Sequence, residues 1–201
     1  MANQRPPSVH PTSAPGRVRI IGGQWKRTPL KVLNRPGLRP TPDRVRETLF
    51  NWLPHDLRGW HVLDAFAGSG ALGLEAASRG AAAVSLVEQD AALVTQLRQT
   101  VDYLHAHQVS VQRGDGLAAL RQAAPGSLDL ILLDPPFASN LAQPALQAAA
   151  AALRSGGWVY VETGKVCHSD EMTSHTLRLH RSLSAGAVHA YLLQHDGAAH
   201  D

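Results

Sequence analysis

The sequence predicts an α/β fold: a mostly parallel β-sheet with helices on both faces. Three observations carry the prediction. After Gly59, β-type apolar runs alternate with helical segments, as in a parallel sheet whose crossovers are helices. The first of these runs, WHVLDAF, feeds a helix through the glycine-rich turn Gly68-Ser69-Gly70-Ala71-Leu72-Gly73. The 201 residues, 44% of them hydrophobic, suffice for one substantial core and are too few to favour two full domains.

Residues 1–16 contain four prolines with Ser and Thr and show no apolar period, so a disordered tail is expected there. From Arg17, the stretch RVRIIGGQWKRTPLKVL holds two β-prone runs flanking Gly22-Gly23, which predicts a basic β-hairpin. Residues 41–53 predict a helix, with Thr41 as N-cap, Pro42 at the first helical position and Asp43 in the first turn. Val45, Leu49, Trp52 and Leu53 then recur at helical spacing. Hairpin and helix together make an N-terminal extension over 17–55, followed by a main domain over 56–201. Within that domain, strands are expected at 60–66, 82–88, 109–113, 128–134 and 157–163, and helices at 71–79, 90–105, 116–123 and 141–153. The stretch TLRLHRSLSAGAVHAYLLQH carries no helix signal and breaks at Ser184-Ala185-Gly186, predicting a closing antiparallel hairpin.

Composition narrows the function. Residues 1–60 hold 11 Arg and Lys against 3 acids, a balance of +8; residues 61–201 hold 8 against 13, a balance of −5. Such a basic concentration fits a polyanion partner, because each phosphate neutralised releases condensed counterions; a merely solvated basic surface is the plainer alternative. Cys167 is the single cysteine, which excludes an internal disulfide or a thiolate metal cluster and suits a reducing compartment. The 11 histidines show no metal-ligand spacing, and no metal is expected. With no apolar run long enough to span a bilayer and no hydrophobic leader core, a cytoplasmic protein without a membrane partner is expected.

The glycine turn lets a ligand approach a helix N-terminus, where backbone N–H groups converge. Alone, G-x-G-x-x-G fits a dinucleotide fold equally well. Two acids sharpen it. Asp64 ends the first strand, where a carboxylate opposes a pyrophosphate yet can pair with the ammonium of an amino-acid moiety. Glu88 ends the second, in place to accept both hydroxyls of a ribose. Each could instead be structural, Asp64 as a turn cap and Glu88 as an exposed strand end. Asp115, in RGDG after the third strand, is placed to accept from an adenine amino group or to cap the next helix beside Gly116.

The fourth strand ends in LDLILLDPPFAS, leaving Asp134-Pro135-Pro136-Phe137 at the C-terminal edge of the sheet, where open α/β folds bind ligands. An exocyclic amine of a nucleobase is a poor nucleophile because its lone pair is delocalised into the ring. Two acceptors on its N–H bonds, the Asp134 carboxylate and the Pro135 carbonyl, can localise that pair toward a methyl donor. Pro135 and Pro136 add stiffness without a competing amide donor, and Phe137 offers a face on which a flipped-out base can stack. A strand-ending turn with Phe137 in the core is the alternative.

These residues resemble a known family. The blocks RIIGGQWKRTPL, GLRPTPDRVRETLFNWL, LDAFAGSGALGLEA, VEQD and DPPF, in this order from Arg19 to about Glu162, are similar to the RsmD-like 16S rRNA (guanine(966)-N(2))-methyltransferases, within the class I, Rossmann-like methyltransferases. The resemblance implies a seven-stranded sheet with one antiparallel strand, S-adenosylmethionine as methyl donor with S-adenosylhomocysteine as product, and a guanine N2 of 16S rRNA as acceptor, presented in an assembling small ribosomal subunit. It implies cofactor contacts at Asp64, Phe66, Gly68, Ser69, Gly70, Glu88, Gln89, Asp115 and Gly116, with Thr41 and a nearby Arg39 or Arg44 closing over the methionine end. It makes Asp134 to Phe137 the catalytic loop and places Arg17, Arg19, Lys26, Arg27 and Lys31 in the hairpin that grips RNA. A monomer is the simplest expectation. After Glu162 the chain departs from the family pattern, GKVCHSDEMTSHTLRLH being shorter and richer in His. Beside this reading stand N-methylation of adenine or cytosine in DNA or other RNA, a nicotinamide-dependent oxidoreductase using the glycine turn, and a non-catalytic RNA-binding assembly factor.

Overall fold

The computed structural model describes residues 18–33, 41–137, 139–167 and 176–196. The expected tail at 1–16 and the candidate residues Arg17 and Arg39 lie outside them. The chain runs β1 (Val18–Arg19), β2 (Pro29–Leu30), α1 (Asp43–Trp52), β3 (His61–Asp64), α2 (Ala71–Ser78), β4 (Ala83–Glu88), α3 (Ala91–Tyr103), β5 (Val109–Arg113), α4 (Gly116–Gln122), β6 (Leu128–Leu133), α5 (Ala142–Ala152), β7 (Leu153–Thr163), β8 (Leu177–Ala185) and β9 (Val188–His195). No described helix is long and apolar enough to cross a membrane.

Strands β3 to β9 form one seven-stranded sheet in the order β5-β4-β3-β6-β7-β9-β8. Strands β5, β4, β3, β6 and β7 pair in parallel, and β9 runs against β7 on one side and β8 on the other. The expected sheet with one reversed strand is therefore present, and β8 and β9 are the predicted closing hairpin.

Burial on both faces explains the near-continuous apolar strands. Side chains alternate between two cores, as the period of two requires. Val62, Leu86, Leu130, Leu132, Tyr160 and Leu192 face α1, α2 and α3. Leu63, Ile131, Leu133, Val159, Val161 and Leu193 face α4 and α5, where alanines 145, 149 and 152 keep α5 close to the sheet. Connections leave β3 toward β4 and β5 on one side and toward β6 and β7 on the other, so a topological switch point opens between the C-terminal ends of β3 and β6.

Two local expectations need correction. The N-terminal hairpin exists, yet its arms are two residues each, and a loop over 20–28 replaces a tight turn at Gly22-Gly23. The Ile21 and Gly22 amides donate to the Glu75 carboxylate, and Gln24 N donates to the Ser78 carbonyl, so this strip bonds to α2 instead of across the hairpin. Thr41 does not cap α1 either. Pro42 holds the cap position without a side-chain bond, and the Thr41 hydroxyl turns toward two carboxyl groups described below. The extension is continuous with the main core: Val18, Ile20 and Leu30 pack in one cluster with Val45, Leu49, Phe50 and Leu74.

Candidate active site

The glycine turn is braced by both predicted acids. Asp64 is wholly buried; its Oδ2 accepts from the Gly73 amide at 2.9 Å, while Oδ1 has no partner. The Glu88 carboxylate accepts from Gly68 N at 2.9 Å and from Asp90 N at 2.8 Å, tying the turn to the end of β4. Gly70 stands at the N-cap of α2 with φ 77°, a left-handed conformation that a side chain would strain. Burial pushes the Asp64 carboxyl up to about 7, more than the Gly73 and Phe66 amides pull it down, and Glu88 and Glu162 add to the rise.

On the next loop, Asp115 is exposed and caps α4, its Oδ1 accepting from Ala118 N at 2.7 Å. Its Oδ2 accepts from the Gln89 side-chain amide at 2.9 Å, so two of the expected cofactor contacts meet each other. Gly116 is required by close approach, since a Cβ there would stand 2.0 Å from the Ala65 carbonyl oxygen and 3.1 Å from the Phe66 ring.

Asp134 follows β6 directly. Pro135 is buried, Pro136 exposed, and Phe137 41% exposed, so Phe137 is a presented ring and not the core residue of the alternative reading. The loop is pinned where Ser139 donates its amide (2.8 Å) and hydroxyl (2.6 Å) to the Pro136 carbonyl.

Three residues of this site were not anticipated. Strands β6 and β7 pair Leu133 with Val161, so Asp134 and Glu162, one residue further on, stand at neighbouring strand ends. The Thr41 hydroxyl lies between them, 2.9 Å from Glu162 Oε1 and 3.3 Å from Asp134 Oδ2. The Tyr160 hydroxyl donates to the same Glu162 oxygen at 2.8 Å. Arg46, fully buried in α1, bonds the Thr41 carbonyl (3.3 Å), the Arg19 carbonyl (3.0 Å) and the Asp43 carboxylate (2.6 Å), and so links hairpin, helix and site. Burial raises the Asp134 carboxyl well above its ordinary range, with Glu162 and Asp64 pushing the same way. Burial also raises Glu162, against the opposing pull of Tyr160, Thr41 and Arg46. An acid closing an apolar strand beside the strand of Asp134 was the available signal for Glu162. Arg46, one of several charged residues along an amphipathic helix, gave none.

The predicted site residues thus fall into one edge cluster and one outlying group. Thr41, Asp64, Phe66, Gly68, Ser69, Gly70, Glu88, Gln89, Asp115, Gly116 and Asp134 to Phe137 all lie at the C-terminal edge of the sheet around the switch point. Lys26, Arg27 and Lys31 are exposed on the N-terminal loop and arm, whereas Arg19 is ion-paired to Asp43 at 3.2 Å. Arg27 has φ 72°, unusual for a residue with a side chain.

A sheet in this strand order, reversed only at β9 and open at the β3/β6 edge, has the architecture of the Rossmann-like methyltransferases. A protein-family model described as conserved hypothetical protein 95 matches residues 18–194. Ribosomal RNA small subunit methyltransferase D of Escherichia coli is 40% identical over 190 residues, covering 92% of this chain and 93% of that protein. The protein of the same name from Haemophilus influenzae is 42% identical over 162 residues, covering 78% and 84%. The solved structure of the yhhF protein of Escherichia coli superimposes with a TM-score of 0.78 at 39% identity, over 90% of this chain and 99% of that one. The chain belongs to the RsmD-like methyltransferase family. That membership sets aside the oxidoreductase reading of the glycine turn.

Proposed function

We propose that this protein transfers a methyl group from S-adenosylmethionine to the N2 amine of a guanine in 16S rRNA, the guanine 966 class, within an assembling small ribosomal subunit. One observation carries the reading: Asp134 stands at the switch point beside Asp64, whose buried Oδ1 is left without a partner. A buried carboxylate oxygen lacking a donor fits a cofactor whose methionine end bears an ammonium, and does not fit a pyrophosphate. When bound, the cofactor supplies an electrophilic methyl group on a sulfonium.

The chain's own residues do the rest. Asp64, Gly68, Ser69 and Gly70 hold the methionine and ribose side together with Thr41, and Arg39 is assigned to that end by the family resemblance alone. Glu88 keeps lone pairs free for ribose hydroxyls after bonding Gly68 and Asp90. Phe66, Gln89, Asp115 and Gly116 border the adenine end. Asp134 and the Pro135 carbonyl accept the N–H bonds of the guanine amine, directing its lone pair outward while Phe137 stacks on the base. Positioning and electrostatics thereby supply most of the rate. Lys26, Arg27 and Lys31 engage rRNA phosphates, supported by the +8 balance of residues 1–60.

The test is to map N2-methylguanosine in 16S rRNA from cells with and without the protein, and to restore it in isolated subunits with purified protein and S-adenosylmethionine. Loss and restoration at one guanine support the reading. An unchanged modification map would reject it.

A further inference from the structure

We propose that Glu162 is a positioning residue that keeps negative charge off Asp134 until a cationic ligand arrives: Thr41 and Tyr160 both direct their hydroxyl protons to Glu162, leaving Asp134 as the protonated member of the pair in the ligand-free protein. The inference rests on the methyltransferase reading and deepens it, since the cation concerned is the sulfonium and ammonium of S-adenosylmethionine.

The geometry assigns the charge. A hydroxyl has one hydrogen to donate. Thr41 stands 2.9 Å from Glu162 and 3.3 Å from Asp134, so its proton goes to Glu162. Tyr160 donates to the same oxygen at 2.8 Å, and burial raises its phenol so far that it remains a donor throughout the physiological range. Glu162 therefore has two donors, and Asp134 at most the long shared one. Glu162 is buried and Asp134 half-buried, and two ionised carboxylates side by side with so little water between them repel, so one of them holds a proton.

The surrounding charges favour the same assignment. From α1, Arg46 pulls on Glu162, although its own ion pair is with Asp43. From β3, Asp64 adds a push on Asp134 only where it is itself ionised, which its own rise to about 7 confines to neutral pH and above. From β9, Glu162 faces Ala190 across the pairing, which brings no charge. A protonated Asp134 is a donor as well as an acceptor and would compete with the amine for the role it must play. Once a cation lies beside it, the carboxyl releases that proton to solvent and becomes the acceptor that the reaction needs. The ligand-free and ligand-bound sites thus differ by one proton.

Carbon-13 NMR of side-chain carboxyl groups in the full-length protein reads this directly, by following Asp134 and Glu162 against pH with and without S-adenosylmethionine. Near pH 7 the ligand-free protein should show Glu162 ionised and Asp134 protonated, and S-adenosylmethionine should convert Asp134 to carboxylate. S-adenosylhomocysteine, a neutral thioether, should lower the Asp134 transition less. In Glu162→Gln, which keeps the side-chain shape, the Asp134 transition should fall by about a pH unit or more with the like charge removed. An Asp134 already ionised in the ligand-free wild type, or a proton found on Glu162, overturns the proposal. So does a transition that Glu162→Gln does not move. The wild-type titration decides the matter even if that variant does not fold. Failure of the wild type to bind either ligand is a different result: it rejects the methyltransferase site itself, and this inference with it.

Discussion

The Glu75 carboxylate, wholly buried in α2, accepts the backbone amide hydrogen of Gly22 at 2.8 Å, 53 residues back in the chain. Its other oxygen accepts from Ile21 at 2.7 Å, and Arg79, packed over the Phe50 ring, completes the pairing at 2.8 Å. The N-terminal loop is thereby clamped onto the main domain by one acid. Glu75→Ala should destabilise the protein by about 3 to 5 kcal/mol, because it strands a nearly buried guanidinium and two amide donors. Glu75→Gln, which keeps one acceptor, should cost less. Urea unfolding of both variants checks this; a Glu75→Ala loss below 1 kcal/mol would show that the loop does not depend on the clamp.

Asp64 makes stability depend on pH with a definite sign. Its carboxyl is raised to about 7 in the folded protein from an ordinary 3.8, so the native state holds a proton that the unfolded chain has lost. The contribution is full below about pH 4 and declines as pH rises through 7. A displacement of this size is worth on the order of 4 kcal/mol. Ligand-free protein should lose more stability between pH 5 and pH 8 than Asp64→Asn, which still offers Gly73 an acceptor. Equal slopes in denaturant titrations of the two would contradict the assignment.

The basic loop is expected to carry RNA affinity, and the structure selects the residues to test. Arg19 is unsuitable because its guanidinium pairs with Asp43 and its carbonyl with Arg46. Reversing Lys26, Arg27 and Lys31 to Glu should weaken RNA binding and reduce the slope of log K against log salt by about 2 for three lost phosphate contacts. Calorimetric affinity for S-adenosylmethionine should be unchanged. An unaltered salt slope would place the RNA contact elsewhere.

How far the sequence revealed this site depends on the range of each interaction. Asp64 and Asp134 were readable because each ends an apolar strand against residues that stop it, glycines in one case and prolines in the other. The parallel sheet followed from runs such as LDLILL, which burial on both faces requires. Only the family resemblance places Thr41 at this edge; its local sequence reads as a helix cap. Its actual partners lie 93 and 121 residues away, and no local pattern encodes them. The width of the N-terminal loop was hidden for the same reason, being set by Glu75 from a distant helix. Arg46 escaped notice because a cation within an amphipathic helix reads as solvent-facing until the hairpin that covers it is known.

Catalysis supplies the last prediction, and it separates the two ends of the Asp134 to Phe137 loop. Asp134 accepts from the reacting amine, an interaction that strengthens as positive charge develops on nitrogen, so its removal acts on the rate. Asp134→Ala should fold and bind S-adenosylmethionine yet lose on the order of 10² to 10³ in kcat, by analogy with removal of one preorganised oxyanion-hole donor. Phe137 is 41% exposed and contributes a stacking face, so Phe137→Ala should weaken substrate engagement by about 1 to 3 kcal/mol. Single-turnover methyl transfer to small-subunit particles at saturating cofactor distinguishes them: raising the particle concentration should restore Phe137→Ala but not Asp134→Ala. If Asp134→Ala transferred methyl within a few-fold of the wild-type rate, the amine would not be held by this carboxylate, and the assignment of the loop would fail.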